Sequence, residues 1–247
     1  MQQPGFVHLH LHTQYSLLDG AIRLHDLVRT ALEFRMPAVA ITDHGAMFGA
    51  IEFYEKCKGA GIKPIIGAEL YVAPGSRFDK ETGHGHDAIT NHHLLLLCEN
   101  LQGYRNLCRL VSAGFKEGFY YKPRVDKELL AGHSQGLVAM SACLKGEVAS
   151  LCVRNRMEDA VAAARWYAET FSGRYYIELQ ENSLPEQEVA NKRLMEVAGE
   201  LSLPLVATND CHYLLREDAK AHEALLCIQT GKTMNDPARM RFSAPEF

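Results

Sequence analysis

The sequence predicts an α/β fold in which a sheet of parallel strands is connected by helical crossovers. Three observations support this prediction. Short apolar runs alternate with helical patterns six or seven times, metal-binding residue types stand at the ends of those runs, and 247 residues is a common length for one (β/α) barrel. The sheet either closes into a barrel or stays open and doubly wound. In both architectures ligands bind at the carboxyl ends of the strands.

The predicted strands are short apolar runs, and several of them end beside a histidine, a cysteine or a carboxylate. Because no Gly-x-Gly-x-x-Gly turn follows any of them, a dinucleotide-binding site is disfavoured. In chain order the strands are Phe6–His10, Ala38–Thr42, Pro64–Val72, His93–Cys98, Leu137–Ser141, Tyr175–Gln180 and Pro204–Thr208.

The predicted helices lie between these strands. The first has its apolar residues at helical spacing on one face, as a helix packed on a sheet requires. Residues 74–90 are rich in glycine and histidine and are predicted to form a surface loop. The helices are Leu24–Phe34, Met47–Lys58, Leu101–Gly114, Met157–Thr170, Pro185–Leu201 and Glu217–Ile228.

Composition limits the class of protein. The chain is 47% hydrophobic with a net charge of −4, so it does not coat DNA by charge alone, and any nucleic-acid contact must be local. Seven cysteines without a Cys-x-x-Cys pair indicate reduced thiols. With neither a signal peptide nor a membrane-length apolar run, we expect a cytoplasmic protein. We expect one domain over residues 1–232, with 233–247 beginning a linker to a following region of a longer polypeptide.

Histidines and carboxylates recur at the predicted strand ends in metal-ligand patterns. His10 and His12 are two residues apart in an extended run, so both imidazoles point to one face and can reach one ion. The same argument holds for Asp210 and His212. The candidate ligands are His10, His12, Asp19, His44, Glu69, His93, Cys143, Asp210 and His212.

Nine ligands are too many for one ion and suit two or three. Glu69 is the candidate for a carboxylate that bridges two ions, and a Cys143 thiolate favours zinc over magnesium, while iron and manganese also suit the set. Divalent ions about 3.5–4 Å apart can activate water and stabilise a leaving oxygen, so the pattern points to phosphoester hydrolysis.

Plainer interpretations remain for single residues. A lone buried histidine is more often a hydrogen-bonded core residue than a ligand, Cys143 alone would be a small core residue, and Asp19 could be a turn former. It is the combination of His10-x-His12 with Asp210-x-His212 that favours metal binding.

Residues near the candidate ligands have other expected roles. Asp43 is expected to orient a ligand histidine, His8 to support the ligands or lie in the core, and Cys211 to face the core. His84 and His86 are metal-like in sequence but lie in the glycine-rich loop, where we expect them to be solvated.

The segment Tyr120–Arg124 combines aromatic and basic residues. It is either a substrate loop, in which Arg124 and Lys122 hold phosphate and a tyrosine stacks on a base, or a surface turn containing proline.

These motifs resemble the polymerase and histidinol phosphatase (PHP) family of metal-dependent phosphoesterases. The hallmark motifs are His10-Leu11-His12, Thr42-Asp43-His44-Gly45, Gly67-Ala68-Glu69, His93, Ser141-Ala142-Cys143 and Asn209-Asp210-Cys211-His212. The closer resemblance is to the N-terminal PHP domains of bacterial replicative polymerases, the DNA polymerase III α subunits. The stretches that carry it are Phe6–Gly20, Gly61–Glu69, Gly118–Asp126 and Ala207–Tyr213.

The resemblance implies a distorted (β/α)7 barrel with a trinuclear metal site. One ion would take His10, His12, Glu69 and Asp210, a second Glu69, His93 and Cys143, and the third Asp19, His44 and His212. Zinc is the foremost candidate, with manganese, iron and magnesium as alternatives.

The resemblance also implies an activity and partners. The activity is a 3′→5′ exonuclease on single-stranded or primer 3′ ends, with His12, Glu69 and Asp210 at the reaction and Lys122 and Arg124 on phosphate. The partners are the rest of the polymerase α subunit and the proofreading exonuclease subunit. Two alternatives stay open: a silent scaffold stabilised by metal, and a free-standing phosphatase of a small monoester.

Overall fold

The computed structural model describes residues 6–80 and 91–240, which form a curved sheet with helices packed on its outer face. The strands are β1 Ala38–Ile41, β2 Lys63–Val72, β3 His92–Cys98, β4 Phe119–Tyr120, β5 Lys122–Val125, β6 Leu137–Met140, β7 Tyr175–Gln180 and β8 Leu205–Thr208. The helices are α1 Leu24–Glu33, α2 Ala50–Ala60, α3 Leu101–Lys116, α4 Lys127–Gly132, α5 Glu147–Val153, α6 Met157–Thr170, α7 Pro185–Leu201 and α8 Ala219–Thr230, with a 3₁₀ turn at Arg216–Asp218.

Local sequence explains where several helices begin and end. The side chain of Asn100 accepts a hydrogen bond from Gly103 N at the start of α3, and Asp126 does the same for Leu129 N at the start of α4. Helix α2 ends at Gly61, whose φ of 76° is left-handed and suits glycine. Helices α4 and α5 are additions to the predicted set because both are too short for a clear helical period.

The sheet forms a seven-membered ring once the amino-terminal segment is included. The strand order is β1-β2-β3-β6-β7-β8, and β5 adds to the edge of β2. Residues 8–12 lie between the two ends of this order. Ala40 N of β1 donates to His8 O, and His12 N donates to the carbonyl of Cys211, just beyond β8. The prediction of a distorted barrel is confirmed.

The predicted first strand, Phe6–His10, is wrong as a regular strand. Within residues 6–13 the structure shows isolated bridges only, between Leu11 and Cys211 and between Thr13 and Ile22. The segment hydrogen-bonds alternately to β1 on one side and to the chain after β8 on the other, so it forms no continuous ladder with either.

The prediction of a wholly parallel sheet is also wrong for β3. This strand runs antiparallel to both of its neighbours, β2 and β6. A parallel neighbour needs a crossover, which is usually a helix, and the described part of the β2–β3 connection, residues 73–80, contains none. His84 and His86 lie in the rest of that connection, outside the described residues.

The core has three parts, set by the alternation of side chains along the strands. Leu94 and Leu96 of β3 face outward and pack under α3, α5, α6 and α7, while a second cluster lies beneath α1 and α2. Leu95 and Leu97 face inward and fill the barrel with Met140. No helix in the described ranges is long and apolar enough to cross a membrane.

Candidate metal centre

The nine candidate ligands lie together at one end of the barrel, where the parallel strands have their carboxyl ends. Four of them follow their strands, as His44 follows β1 and Asp210 follows β8, while Glu69 stands inside β2 and three others precede β1. His93 instead stands near the start of β3. Because β3 is antiparallel, its start lies beside the end of β2, and His93 pairs with Tyr71 there.

Glu69 is at the centre of the cluster. Its Oε1 lies 2.9 Å from His93 Nδ1 and 3.4 Å from His10 Nε2. Its Oε2 lies 2.7 Å from His44 Nδ1 and 3.6 Å from His12 Nε2. One carboxylate oxygen therefore faces each half of the cluster, which is the arrangement of a bridging ligand.

Asp210 and Cys143 flank Glu69. Asp210 Oδ1 lies 3.0 Å from His10 Nε2 and 3.1 Å from His12 Nε2. The Cys143 Sγ lies 3.8 Å from Glu69 Oε1. These residues supply imidazole, carboxylate and thiol donors within one small volume.

Asp19 completes the side of the cluster nearest the solvent. Its Oδ2 lies 3.0 Å from His44 Nε2, and its Oδ1 lies 4.0 Å from His212 Nε2. The rings of His44 and His212 both stack against His12, with centroids 4.0 and 4.5 Å from its own, and they lie 5.9 Å from each other. Asp19 is therefore a member of the cluster, whatever turn it also forms.

The donor set fits divalent cations. Three groups of histidine and glutamate donors have ligand atoms within 4.8 Å of one another: His12, His44 and His212; His10, His12 and Glu69; and His44, Glu69 and His93. Five buried polar atoms of the cluster make no hydrogen bond of acceptable geometry, although other cluster atoms lie 2.7–3.6 Å away. They are His10 Nε2, His12 Nε2, His44 Nδ1, Glu69 Oε2 and Asp210 Oδ1. Leaving such atoms unpaired is costly, and a shared cation would satisfy them together.

Three of the histidines are held with Nε2 turned to the cluster. His10 Nδ1 donates to Glu178 Oε1 at 2.6 Å, and His212 Nδ1 donates to the carbonyl of Asp210 at 2.8 Å. His12 Nδ1 donates to Ser16 Oγ at 3.1 Å. A proton held on Nδ1 leaves the Nε2 lone pair free for a metal ion.

Asp43 acts on this arrangement through Ser16. Ser16 Oγ donates to Asp43 Oδ1 at 2.8 Å while it accepts from His12 and from the backbone N of His44 at 3.1 Å. The backbone N of Thr13 also donates to Asp43, at 2.6 Å. Asp43 thus orients a cluster histidine indirectly.

The sequence analysis missed Glu178. Its Oε1 also accepts from Gln180 Nε2 at 2.8 Å and from the Thr208 hydroxyl. The sequence did contain a signal for it, a glutamate inside a predicted buried strand. Glutamate is almost never fully buried without partners, so such a residue indicates a polar contact.

At His10 and Asp210 the neighbouring charges shift the pKa in the direction opposite to that of burial. Burial lowers the pKa of His10, but Asp210 and Glu178 raise that pKa well above its ordinary value. Burial would raise the pKa of Asp210, yet His10 and His212 hold it well below its ordinary value. Burial, with the charges of His44 and His212, lowers the pKa of His12 to about 3.

In Cys143, as in His12, burial and the nearest charges shift the pKa in the same direction. Burial and the carboxylate of Glu69 raise the pKa of the Cys143 thiol well above its ordinary value. A coordinated thiol is deprotonated outright, so a bound cation would reverse this preference.

His8 and Cys211 lie away from the cluster. Cys211 Sγ is 3.3 Å from His8 Nδ1, and both line a cavity of about 340 Å³ between α1 and the barrel wall.

The cluster opens to two adjoining cavities. One of about 220 Å³ is lined by Asp210, His212 and Cys143, and one of about 540 Å³ is lined by Asp19, His44 and His93. Substrate therefore has room beside the donors.

Lys122 and Arg124 have different surroundings. Lys122 lines the larger cavity, with its Nζ 5.4 Å from the centre of the Tyr71 ring. Arg124 is only 2% exposed, and its guanidinium donates to the carbonyls of Gly118 and Asp79. The geometry therefore makes Arg124 a residue that fixes the β4–β5 hairpin, and of the two predicted phosphate contacts only Lys122 lines the cavity.

A barrel with histidine, carboxylate and thiol donors gathered at its carboxyl face defines a class of proteins built around a clustered metal site. Residues 8–182 match the family model of the PHP domain, and the chain belongs to the PHP domain family.

The curated relatives are longer proteins. The chain is 49% identical over 244 residues to the DNA polymerase III subunit alpha of Thermus aquaticus, covering 98% of this chain and 20% of that protein. It is 48% identical over 251 residues to the Deinococcus radiodurans subunit of the same name, covering 100% of this chain and 19% of that protein. The match is to the amino-terminal part of these proteins, and the chain spans about a fifth of their length.

A solved structure supports the fold. A crystal structure from Bifidobacterium adolescentis, described as a candidate metal-dependent phosphoesterase, superposes with a TM-score of 0.53 at 17% identity. The match covers 86% of this chain and 90% of that one.

Proposed function

We propose that this chain is a metal-dependent phosphodiesterase that shortens DNA from its 3′ end, as the PHP domain of a bacterial DNA polymerase III α subunit. The observation that carries the proposal is the convergence of eight candidate ligands around a ninth, Glu69, in a cluster where five polar atoms are buried without a hydrogen bond. The names of the curated relatives support a DNA substrate. We assign polymerisation to the longer polymerase protein of which this chain would be a domain. The proposed partners of the chain are the remainder of that protein and the proofreading exonuclease subunit.

The proposed ligand sets are those that the resemblance to the PHP family implies, and each member of a set has a donor atom within 4.0 Å of another member. The first ion would be held by His10, His12, Glu69 and Asp210, the second by Glu69, His93 and Cys143, and the third by Asp19, His44 and His212. Zinc suits the thiol and imidazole donors best. Divalent cations bound there supply positive charge for a phosphate group and lower the pKa of water.

The chain's own residues contribute orientation and charge. Glu178 and Ser16 fix the tautomers of His10 and His12, so their Nε2 lone pairs stay directed at the cluster. Lys122, at the edge of the larger cavity, is placed to steady a phosphate that enters it.

Replacement of Asp210 tests the proposal. Asp210→Asn keeps the shape of the side chain but removes the charge beside His10 and His12, so metal-dependent shortening of a 5′-labelled single-stranded oligonucleotide should be lost. Asp159→Asn is the matched control, because Asp159 is an exposed residue of α6 paired with Arg156. An Asp210→Asn variant that shortens DNA at the rate of the unsubstituted chain would overturn the assignment.

The burial of the cluster favours a second candidate, a metal-stabilised scaffold without catalysis. His10, His12 and Glu69 are 0–1% exposed, and structural metal sites are typically closed to solvent. For a scaffold, chelation lowers the melting temperature while the fully loaded chain shortens no DNA. Hydrolysis of a panel of monoesters such as histidinol phosphate, without cleavage of DNA, would instead indicate a free-standing phosphatase.

A further inference from the structure

Three basic side chains that are distant in sequence line the larger cavity beside the metal centre. Lys122 stands at the start of β5, Lys145 in the loop between β6 and α5, and Arg154 just after α5. All three are exposed, and they share this cavity with the candidate ligands His44 and His93.

These three cations lack acidic partners among the described residues, whereas their neighbours are paired. Lys127 Nζ lies 2.8 Å from Glu147, and Arg156 Nε lies 2.7 Å from Asp159. Within the described ranges, no carboxylate lies within 4.0 Å of the charged groups of Lys122, Lys145 or Arg154.

The cavity itself does not compensate this charge. Asp19 is the one carboxylate among the described residues that line it, and Asp19 is a candidate metal ligand. The positive charge beside the metal centre is therefore available to an anionic ligand.

A backbone hydrogen bond and a side-chain ring contact place two of the cations beside the metal centre. The carbonyl of Lys145 accepts a hydrogen bond from His93 N at 3.0 Å. Lys122 lies over the ring of Tyr71, which in turn stacks on His44 with centroids 5.8 Å apart. The two lysines thus flank the cluster on the β3 and β2 sides.

We propose that Lys122, Lys145 and Arg154 bind successive backbone phosphates of a nucleic-acid strand, on the 5′ side of the bond that is cut. This inference rests on the proposed function and deepens it, because it makes the substrate a strand with several phosphates rather than a monoester. We call these three residues the track. Basic side chains arranged in this way hold single strands with little dependence on base sequence. It also reconciles a net charge of −4 with nucleic-acid binding, since the contact is local.

Binding measurements test the track directly. Fluorescence anisotropy would compare fluorescein-labelled oligothymidylates of two, four and eight nucleotides at several salt concentrations. The variants are Lys145→Gln, Arg154→Gln and their combination. The control is Lys58→Gln, which removes an exposed charge near the end of α2, at the opposite end of the barrel.

The expected result follows from counterion release. Each track variant should weaken binding of the eight-nucleotide strand about threefold or more at low salt, and reduce the slope of log K against log salt by about 0.7. The affinity of the unsubstituted chain should rise with strand length, and the double variant should lose most of that increase. Track variants with the affinity and salt slope of Lys58→Gln would overturn the proposal.

Hydrolysis separates this proposal from the proposed function. Bis(p-nitrophenyl) phosphate is one diester without neighbouring phosphates, so the ratio of kcat/KM for an oligonucleotide to kcat/KM for this compound isolates the track. The double variant should lower that ratio about tenfold, mainly through KM, whereas an unchanged ratio contradicts the track. Length- and salt-dependent binding by a parent chain that hydrolyses neither compound would support the track and refute the nuclease.

Discussion

Replacement of Glu178 by glutamine provides a sharp test of the metal centre, because Glu178 touches the cluster only through His10. Glu178 is fully buried, and its Oε1 accepts from His10 Nδ1 at 2.6 Å and from Gln180 Nε2 at 2.8 Å. In the variant the amide oxygen still accepts from His10, but the negative charge that makes the imidazole a stronger ligand is lost.

The magnitude follows from the change in this hydrogen bond. A bond to a charged group contributes about 1.5–3 kcal/mol and a neutral bond about 0.5–1.5 kcal/mol. The difference, about 1–1.5 kcal/mol, corresponds to about a tenfold loss of metal affinity. That value is at the lower end of the tenfold to hundredfold loss that is typical for partners of metal-bound histidines.

A competition titration against a chromophoric zinc chelator measures the effect. The matched control is Glu181→Gln, which makes the same chemical change at an exposed residue just after β7, where Glu181 accepts from Ser183 N. We expect weaker zinc binding in Glu178→Gln and unchanged binding in the control. Equal affinity in the two variants would refute the assignment of His10 as a ligand oriented by Glu178.

Three further predictions concern pH, backbone strain and metal choice. Despite burial, Glu69 raises the pKa of His44 to about 9. In chelated protein, protonated His44 therefore stabilises the fold, and this contribution to the free energy of unfolding is fully present below pH 6.5 and is lost as the pH rises through 9. Urea unfolding in EDTA should show a loss of up to roughly 3 kcal/mol between pH 6 and 9, and a flat profile would contradict this. Tyr121 has a left-handed φ of 58° and is 77% exposed. Tyr121→Gly should therefore stabilise the chain by about 0.5–1 kcal/mol in thermal unfolding. A lower melting temperature would show that contacts of the tyrosine ring stabilise the fold. Cys143→Ser replaces a soft donor by a hard one, so chelator competition should show about a tenfold loss for zinc and less for manganese; equal losses would exclude Cys143 as a ligand.

The convergence of the candidate ligands could be predicted because residue type and strand position agreed. The ends of parallel strands meet at one face of a barrel, and the candidates lie there together. The period-2 argument for His10 with His12 and Asp210 with His212 is wrong in its premise, because residues 6–13 form isolated bridges only, and Asp210 follows β8 with a left-handed φ of 53°. His93 was found from its place at a strand end although the direction of its strand was wrong. The antiparallel direction of β3 depends on how the chain turns back after β2, which strand periodicity does not encode.

The surroundings of charged groups were less predictable. Lys122 and Arg124 are two residues apart on β5, yet one lines a cavity and the other is surrounded by backbone carbonyls. Lys145 and Arg154 join Lys122 only through the packing of α5 against β3, so no local motif connects the three.

The structure also explains why the ligand motifs omit one strand. The amino-terminal segment and strands β1, β2, β3, β6 and β8 each bring a candidate ligand to the centre, whereas β7 brings Glu178, which contacts Nδ1 of the candidate ligand His10. Its carboxylate therefore binds the side of the imidazole that faces away from the metal centre. A search for ligands does not find such a residue, because it is not itself a candidate ligand and works by fixing a tautomer. All seven members of the ring contribute to the site, and β7 contributes a residue that orients a candidate ligand rather than a candidate ligand itself.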